Sequence, residues 1–230
     1  MSVSEKWSCV TQDFGLIEAP IQDVAQTYKS WWAGLGYDLI TQTCKGSLDK
    51  KFGELEPFSF LMNRTLLLPT STQWTAFFRN GIQGSDPASA LPVLAERLSA
   101  RAIRICSTES SVKYPATILT VYDSSSQLVG ADNTQRSISA MNDGGRWVFQ
   151  QYGEPYHFEK TERYTARLKR NRFDDGLLLE YLENFGIGAL GDELLDAGSD
   201  NNGVLMSRPF PERAEKYTRV EVRAGLPWQR

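Results

Sequence analysis

His157 is the only histidine of this sequence. A single imidazole excludes a metal site built on several histidines, and it leaves one base for a Ser-His-Asp or Cys-His arrangement. His157 lies in the run Tyr156-His157-Phe158, whose aromatic content is typical of a strand. A structural histidine is therefore the favoured interpretation, and a catalytic or binding role is the alternative.

The three cysteines, Cys9, Cys44 and Cys106, lie far apart and form no C-x-x-C pair. An odd number of cysteines without short spacings indicates reduced thiols in a cytoplasm rather than a disulfide framework. No local motif makes any of them a nucleophilic partner for His157, and an isolated cysteine is more often simply buried.

Gly186, Gly188 and Gly191 have the spacing of the dinucleotide-binding motif G-x-G-x-x-G. That motif binds a pyrophosphate when a strand precedes it and a helix follows it. Here a predicted helix precedes the glycines, so they are expected to end that helix and form a loop. The sequence therefore predicts no nucleotide cofactor.

Paired carboxylates can act as acid and base or bind a hard cation. The same pattern is also typical of exposed loops and helix starts, which is the favoured interpretation here, and no metal site is predicted. The groups concerned are Glu54 with Glu56, Asp174 with Asp175, and Asp192 with Glu193 and Asp196.

Residues 80–86 form a compact, glycine-rich connection between a predicted strand and a predicted helix. Asn80-Gly81 favours a turn, and Asp86 before a proline favours a helix start. Loops held between firm elements often carry binding residues. The sequence therefore predicts ligand or partner contacts at Asn80, Gly81, Gly84 and Asp86, with His157 as a further candidate.

The elements around this loop are the clearest in the chain. Residues 74–79 alternate with a period of two, which predicts a strand. Leu91, Leu94 and Leu98 recur at helical spacing, and residues 102–106 predict the next strand. Pro92 is unfavourable inside a helix, so the helix is expected to begin near Leu91.

The rest of the chain alternates between strands and helices. The apolar stripe over residues 21–32, between Pro20 and Gly34, predicts the most distinct helix. A second helix is expected at residues 174–185, with Gly186 after its end. Strands are predicted at residues 37–43, 116–122, 137–141, 146–151, 158–168 and 217–223, with a hairpin at 142–145 and loops at 46–56 and 124–133.

This pattern predicts an α+β fold with a largely antiparallel sheet of about eight to ten strands and two or three helices packed on one side. One domain is expected over residues 1–195, and a division into two halves meeting near residues 110–133 stays open. Residues 196–230 are predicted to be an irregular or extended tail packed on the domain.

The composition excludes several classes of protein. The chain has 230 residues with 28 acidic and 25 basic side chains, and its net charge of −3 argues against nucleic-acid binding. No apolar run approaches the length of a membrane span, and the first residues lack a secretory pattern. A soluble cytoplasmic protein without a cofactor is expected.

Three functions follow from these observations as hypotheses. The leading one is a non-catalytic protein-binding module, in one version an immunity or antitoxin-like factor that masks a basic enzyme, because acidic surfaces complement basic ones. The second is a hydrolase or transferase with a site around His157 or a carboxylate cluster. The third is a self-assembling structural subunit. The oligomeric state and the identity of the partner are open at this point.

Overall fold

The computed structural model describes residues 7–108, 112–124, 133–195 and 202–228. Their strands form one antiparallel sheet in the order β2-β9-β3-β4-β1-β5-β6-β7-β8, which confirms the predicted α+β class and largely antiparallel sheet. The strands are β1 (Asp13–Ile17), β2 (Ile40–Cys44), β3 (Arg64–Pro69), β4 (Thr75–Arg79), β5 (Arg101–Ser107), β6 (Ala116–Asp123), β7 (Thr134–Asp143), β8 (Arg146–Tyr152) and β9 (Gly203–Ser207).

Helices pack on both faces of this sheet, not on one face as the sequence predicted. α2 (Ile21–Gly34) and α4 (Leu91–Leu98) cover one face, here called the α2 face. The opposite face, here called the α5 face, is covered by α1 (Ser8–Thr11), α3 (Leu48–Gly53), α5 (Asp175–Asn184), α6 (Asp192–Leu195) and α7 (Arg219–Arg223). None of the described helices is long and apolar enough to cross a membrane.

The central strands require cover on both faces because their side chains are apolar on both. Every residue of β1 is buried. Phe14 and Leu16 pack into the core of the α5 face, whereas Ile17 packs on the α2 face. On the α2 face a Cβ at Gly15 would lie 2.8 Å from Cδ2 of Leu91, so the glycine lets α4 approach the sheet closely.

Three helix ends follow the sequence signals. The carboxylate of Asp174 accepts a hydrogen bond from the backbone N–H of Leu177 and so caps α5. Gly186 has a φ of 73°, in the left-handed region that commonly follows a helix. α4 begins at Leu91, with Pro92 in its first turn, where the missing N–H removes no intrahelical bond.

Several local predictions were wrong. Residues 46–56 contain α3, Thr161–Thr165 is a 3-10 helix within the segment expected to be a strand, and Arg219–Arg223 is helical. β9 was not predicted as a separate strand, although it pairs with both β2 and β3. Gly203 explains part of this, because a glycine weakens the sequence pattern of a strand. In the structure a Cβ at this position would lie 2.8 Å from Cδ2 of Leu68, so the glycine permits close packing.

The predicted domain boundaries stay a prediction. The segment after residue 201 supplies β9 to the sheet and α7 to the α5 face. The loop expected at residues 124–133 lies almost wholly outside the described residues.

A buried ion pair joins β7 to the segment that follows β8. The Arg136 guanidinium donates to both carboxylate oxygens of Glu159, at 2.9 and 2.6 Å, and both side chains are 1% exposed. It also donates to the carbonyls of Tyr152 and Gly153 and to the side chain of Gln151. These bonds offset the cost of removing both charges from water.

Two tyrosines complete this network. Tyr164 donates to Glu159 at 2.7 Å and lies 3.0 Å from the hydroxyl of Tyr181, which accepts from the backbone N–H of Lys160. Burial raises the pKa of Tyr164, and its hydrogen bonds raise it further. Burial lowers the pKa of Arg136, but the hydrogen bond and charge of Glu159 outweigh that effect and raise it. The network therefore links β7, residues 159–164 and α5.

We expect Glu159→Gln to lower the free energy of unfolding by about 3–5 kcal/mol, because Arg136 would keep a buried charge without its counter-ion. Urea denaturation followed by circular dichroism measures this loss. The control is Glu180→Gln, which removes the exposed pair with Lys160 and should cost much less because solvent screens that pair. Equal losses of unfolding free energy in the two variants would contradict the special cost expected for breaking the buried pair of Arg136 and Glu159.

Candidate functional site

The loop that the sequence singled out forms one wall of a cavity of about 350 Å³ on the α2 face, here called the loop cavity. β1 and β5 supply a charged pair to it, and residues 59–62, before β3, form another wall. The lining residues are Asp13, Ser59, Phe60, Met62, Gly81, Ile82, Gln83, Gly84, Asp86 and Arg104.

Close packing and unusual backbone geometry shape this cavity. A Cβ at Gly81 would lie 2.1 Å from the carbonyl oxygen of Gly84, and one at Gly84 would lie 2.8 Å from Cβ of Asp13. Gly84 has a φ of 103°, and two lining residues that are not glycine, Met62 and Asp86, also have positive φ, at 44° and 39°. Such conformations cost free energy and often mark functional sites.

Asn80 has a structural role and does not line the loop cavity. It is fully buried. Its side chain donates to the carbonyl of Pro57 and to the side chain of Asn63, and it accepts from the backbone N–H of Arg64. These bonds fix the start of the loop relative to β3. The structure thus brings Gly81, Gly84 and Asp86 together and places Asn80 behind them.

Asp13 and Arg104 form the charged floor of the loop cavity. Nε and Nη2 of Arg104 donate to the two carboxylate oxygens of Asp13 at 2.9 and 2.7 Å. Burial raises the pKa of Asp13, Arg104 opposes that rise, and the nearby charge of Asp86 adds to it. Burial lowers the pKa of Arg104, but its hydrogen bonds and its charge interaction with Asp13 produce a net rise. The pair therefore presents both hydrogen-bond acceptors and donors at the base of the cavity, and its opposite charges largely cancel.

An exposed apolar surface extends from Phe60, which lines the loop cavity, toward the end of α2. Arg208 lies over the rings of Trp32 and Tyr37, with its Cζ 4.7 and 5.2 Å from their centroids, and its Nη2 lies 3.5 Å from the carbonyl of Leu61. Arg208 thus connects the end of α2 with the segment before β3. The exposed members of this surface, here called the apolar rim, are Leu35, Tyr37, Phe60 and Leu61, at 44–54% exposure.

A larger cleft of about 790 Å³ lies at the other end of β1, next to the start of α2. Its central feature is the pair of Arg101 with Glu18, in which Nε and Nη2 donate at 2.6 and 2.9 Å. Gln73 also donates to Glu18, so this carboxylate accepts three side-chain hydrogen bonds. None of the strongly exposed large apolar side chains of the described residues lines this cleft, which makes it a weaker candidate for a protein contact.

His157 lies outside both cavities. It is exposed, it contacts the ring of Phe158 edge to face, and it lines none of the cavities described above. In the described part of the chain no group of three or more His, Cys, Asp or Glu side chains has a geometry for a metal ion. The structure therefore does not join His157 to the loop cavity.

The carboxylate groups that the sequence singled out are also dispersed. Asp174 caps α5, and Asp175 accepts hydrogen bonds from Ser107 and Thr117. Asp192 and Glu193 start α6, while Asp196 lies outside the described residues. These four described carboxylates, Asp174, Asp175, Asp192 and Glu193, thus lie at a helix start or beside the sheet, where they have local structural roles.

Sequence reasoning missed Asp13, Arg104, Phe60 and Arg208. Asp13 and Arg104 come from strands that are distant in the chain, so no local pattern connects them. Phe60 gave a weak signal, because it belongs to an apolar run that is longer than β3. In the part of that run outside the strand, Phe60 and Leu61 are exposed, whereas Phe58, Ser59 and Asn63 are buried.

Comparison of the chain with protein-family models, with curated proteins and with solved structures found no match. A function is accordingly inferred from the side chains and cavities of the chain itself.

The loop glycines give a test of the cavity geometry. We expect Gly81→Ala to destabilise the protein by about 2 kcal/mol, because the new methyl group would overlap the backbone of Gly84. Gly53→Ala is the control: it has open space around the new Cβ, so its stability should stay unchanged or rise slightly. Thermal or urea unfolding distinguishes the two, and a neutral Gly81→Ala would contradict the close approach.

The cysteines give a second test. All three are free, and burial raises the pKa of Cys9 to about 11 and that of Cys106 to about 12, and also raises that of Cys44. We expect a thiol reagent at pH 8 to react about a hundredfold more slowly with the folded protein than with the urea-unfolded protein, because the thiolate is the reactive form. A rapidly reacting thiol in the folded state would reveal a nucleophilic cysteine.

Proposed function

We propose that this chain is a non-catalytic protein-binding module whose partner docks on the loop cavity and the apolar rim. The observation that carries the proposal is that the exposed ring of Phe60 lines a cavity with charged groups, and that Arg208 links the adjoining Leu61 to the exposed Tyr37. Interfaces have this anatomy, with apolar and aromatic anchors next to polar groups that set the orientation.

The residue types of this surface support the proposal. Tyrosine, tryptophan and arginine are enriched among the residues that dominate binding energy. Here the rings of Trp32 and Tyr37 meet edge to face, and Arg208 lies over both. The tight glycine packing of the loop also supports it, because a loop held in one conformation loses little entropy when a partner binds.

In its most specific form, the proposed protein is an immunity or antitoxin-like factor that masks a basic enzyme in the cytoplasm. The support for this form is the net charge of −3, which favours association with a basic partner. The enzymatic alternative has no comparable support, since His157 lies exposed and away from the loop cavity.

Affinity capture from the native host lysate tests the proposal when it compares two matched variants. Phe60 in the apolar rim and Leu168 elsewhere are equally exposed, at 51% and 50%. We expect wild type and Leu168→Asp to retain one stoichiometric protein after a salt wash. Phe60→Asp should lose that protein, with at least a tenfold weaker affinity in a binding titration, because a charge would enter the apolar contact.

The same variants separate the other outcomes. Retention of the partner by Phe60→Asp as strongly as by Leu168→Asp would contradict docking at the apolar rim. Native mass spectrometry would identify a second copy of the chain as the occupant if wild type forms an oligomer that Phe60→Asp dissociates. That result would favour the self-assembling subunit over a binding module for another protein.

A further inference from the structure

We infer that the loop cavity receives a basic side chain, an arginine in the first instance, from the docking partner. The inference rests on the proposed function and specifies the chemistry that the partner presents. It follows from the charge, the hydrogen-bonding capacity and the shape of the loop cavity.

The charge of the loop cavity is negative. Its charged lining residues are Asp13, Asp86 and Arg104, so two carboxylates and one guanidinium leave one negative charge. Arg104 is committed to Asp13 through two hydrogen bonds. In the described part of the chain, no side chain or backbone group donates a hydrogen bond to Asp86, which is exposed. The uncompensated charge therefore belongs to Asp86, at the mouth of the cavity.

Asp13 has capacity for a second cation. Each of its carboxylate oxygens accepts one hydrogen bond from Arg104, and a carboxylate offers about four acceptor positions. Burial is the main cause that raises the pKa of Asp13, and the charge of Asp86 adds to the rise, so the two carboxylates lie close enough to repel each other. A cation that contacts both relieves this repulsion and gains charge-assisted hydrogen bonds.

The shape of the loop cavity fits one long side chain. Its volume of about 350 Å³ is at the lower end of the range for ligand pockets. Phe60, half exposed, provides an aromatic wall on which a guanidinium can stack. The neighbouring cation Arg79 is not among the residues that line the cavity. Its Nη2 donates instead to the carbonyl of Met62 at 3.1 Å.

Nuclear magnetic resonance titration with Nα-acetyl-arginine methylamide tests the inference, and the citrulline analogue serves as the neutral control. We expect the arginine compound to shift the backbone amides of residues 81–84, and the citrulline compound to leave them in place. Asp86→Asn should weaken the binding about tenfold, because it removes the free charge and asparagine also tolerates the left-handed backbone at this position. Asp143→Asn removes an exposed charge at the β7–β8 turn and should leave the affinity unchanged.

Equal shifts with the arginine and citrulline compounds would overturn the inference, and so would an affinity that Asp86→Asn leaves unchanged. Loss of the partner by Phe60→Asp in the capture experiment, without arginine-specific shifts, would overturn this inference alone. Arginine-specific shifts together with a partner that Phe60→Asp still retains would instead overturn the proposed docking surface.

Discussion

The burial of the central strands on both faces is the constraint on which the rest of the structure depends. β1 and β4 are buried at every position, and β3 at all but its ends. A sheet of this kind needs apolar cover on both sides, because each uncovered apolar side chain would forgo about 1.5–3 kcal/mol of burial. α2 and α4 provide that cover on one face, and the shorter helices with α5 provide it on the other. The glycine at position 15 shows how closely the cover fits, since Leu91 occupies the space that a Cβ would need.

The cover of the α5 face is held to the sheet by polar as well as apolar contacts. Arg136 and Glu159 are both fully buried, and their hydrogen bonds extend through Tyr164 and Tyr181 to α5. A pair of this kind adds little net stability compared with apolar residues, but loss of one partner is costly. It therefore defines where residues 159–164 lie against β7 more than it adds to the total stability. The exposed position of His157 follows from this arrangement, because the same segment carries it just outside the network.

The candidate site lies where the start of β1 meets the loop after β4. There the α2 face changes from apolar side chains to the pair of Asp13 and Arg104, and tightly packed glycines bring the loop against that pair. Asp86 adds a free carboxylate, and the apolar rim adds exposed aromatic surface. Apolar anchors give affinity, whereas charged groups select the partner and its orientation. The proposed recognition of a basic group on another protein rests on this combination of a negative cavity and exposed apolar side chains.

The sequence by itself determined the fold class, the antiparallel sheet and the helices α2, α4 and α5, and it singled out residues 80–86 as a candidate site. These depend on period, capping and turn signals that act within a few residues. Only the tertiary structure decided that helices cover both faces, that β9 pairs between β2 and β3, and that residues 161–165 form a 3-10 helix beside a buried ion pair. It also decided that Asn80 is structural, and that Asp13, Phe60 and Arg104 join Gly81, Gly84 and Asp86. The reason is that these contacts join residues distant in the chain, and a local sequence pattern does not indicate which distant side chains come into contact.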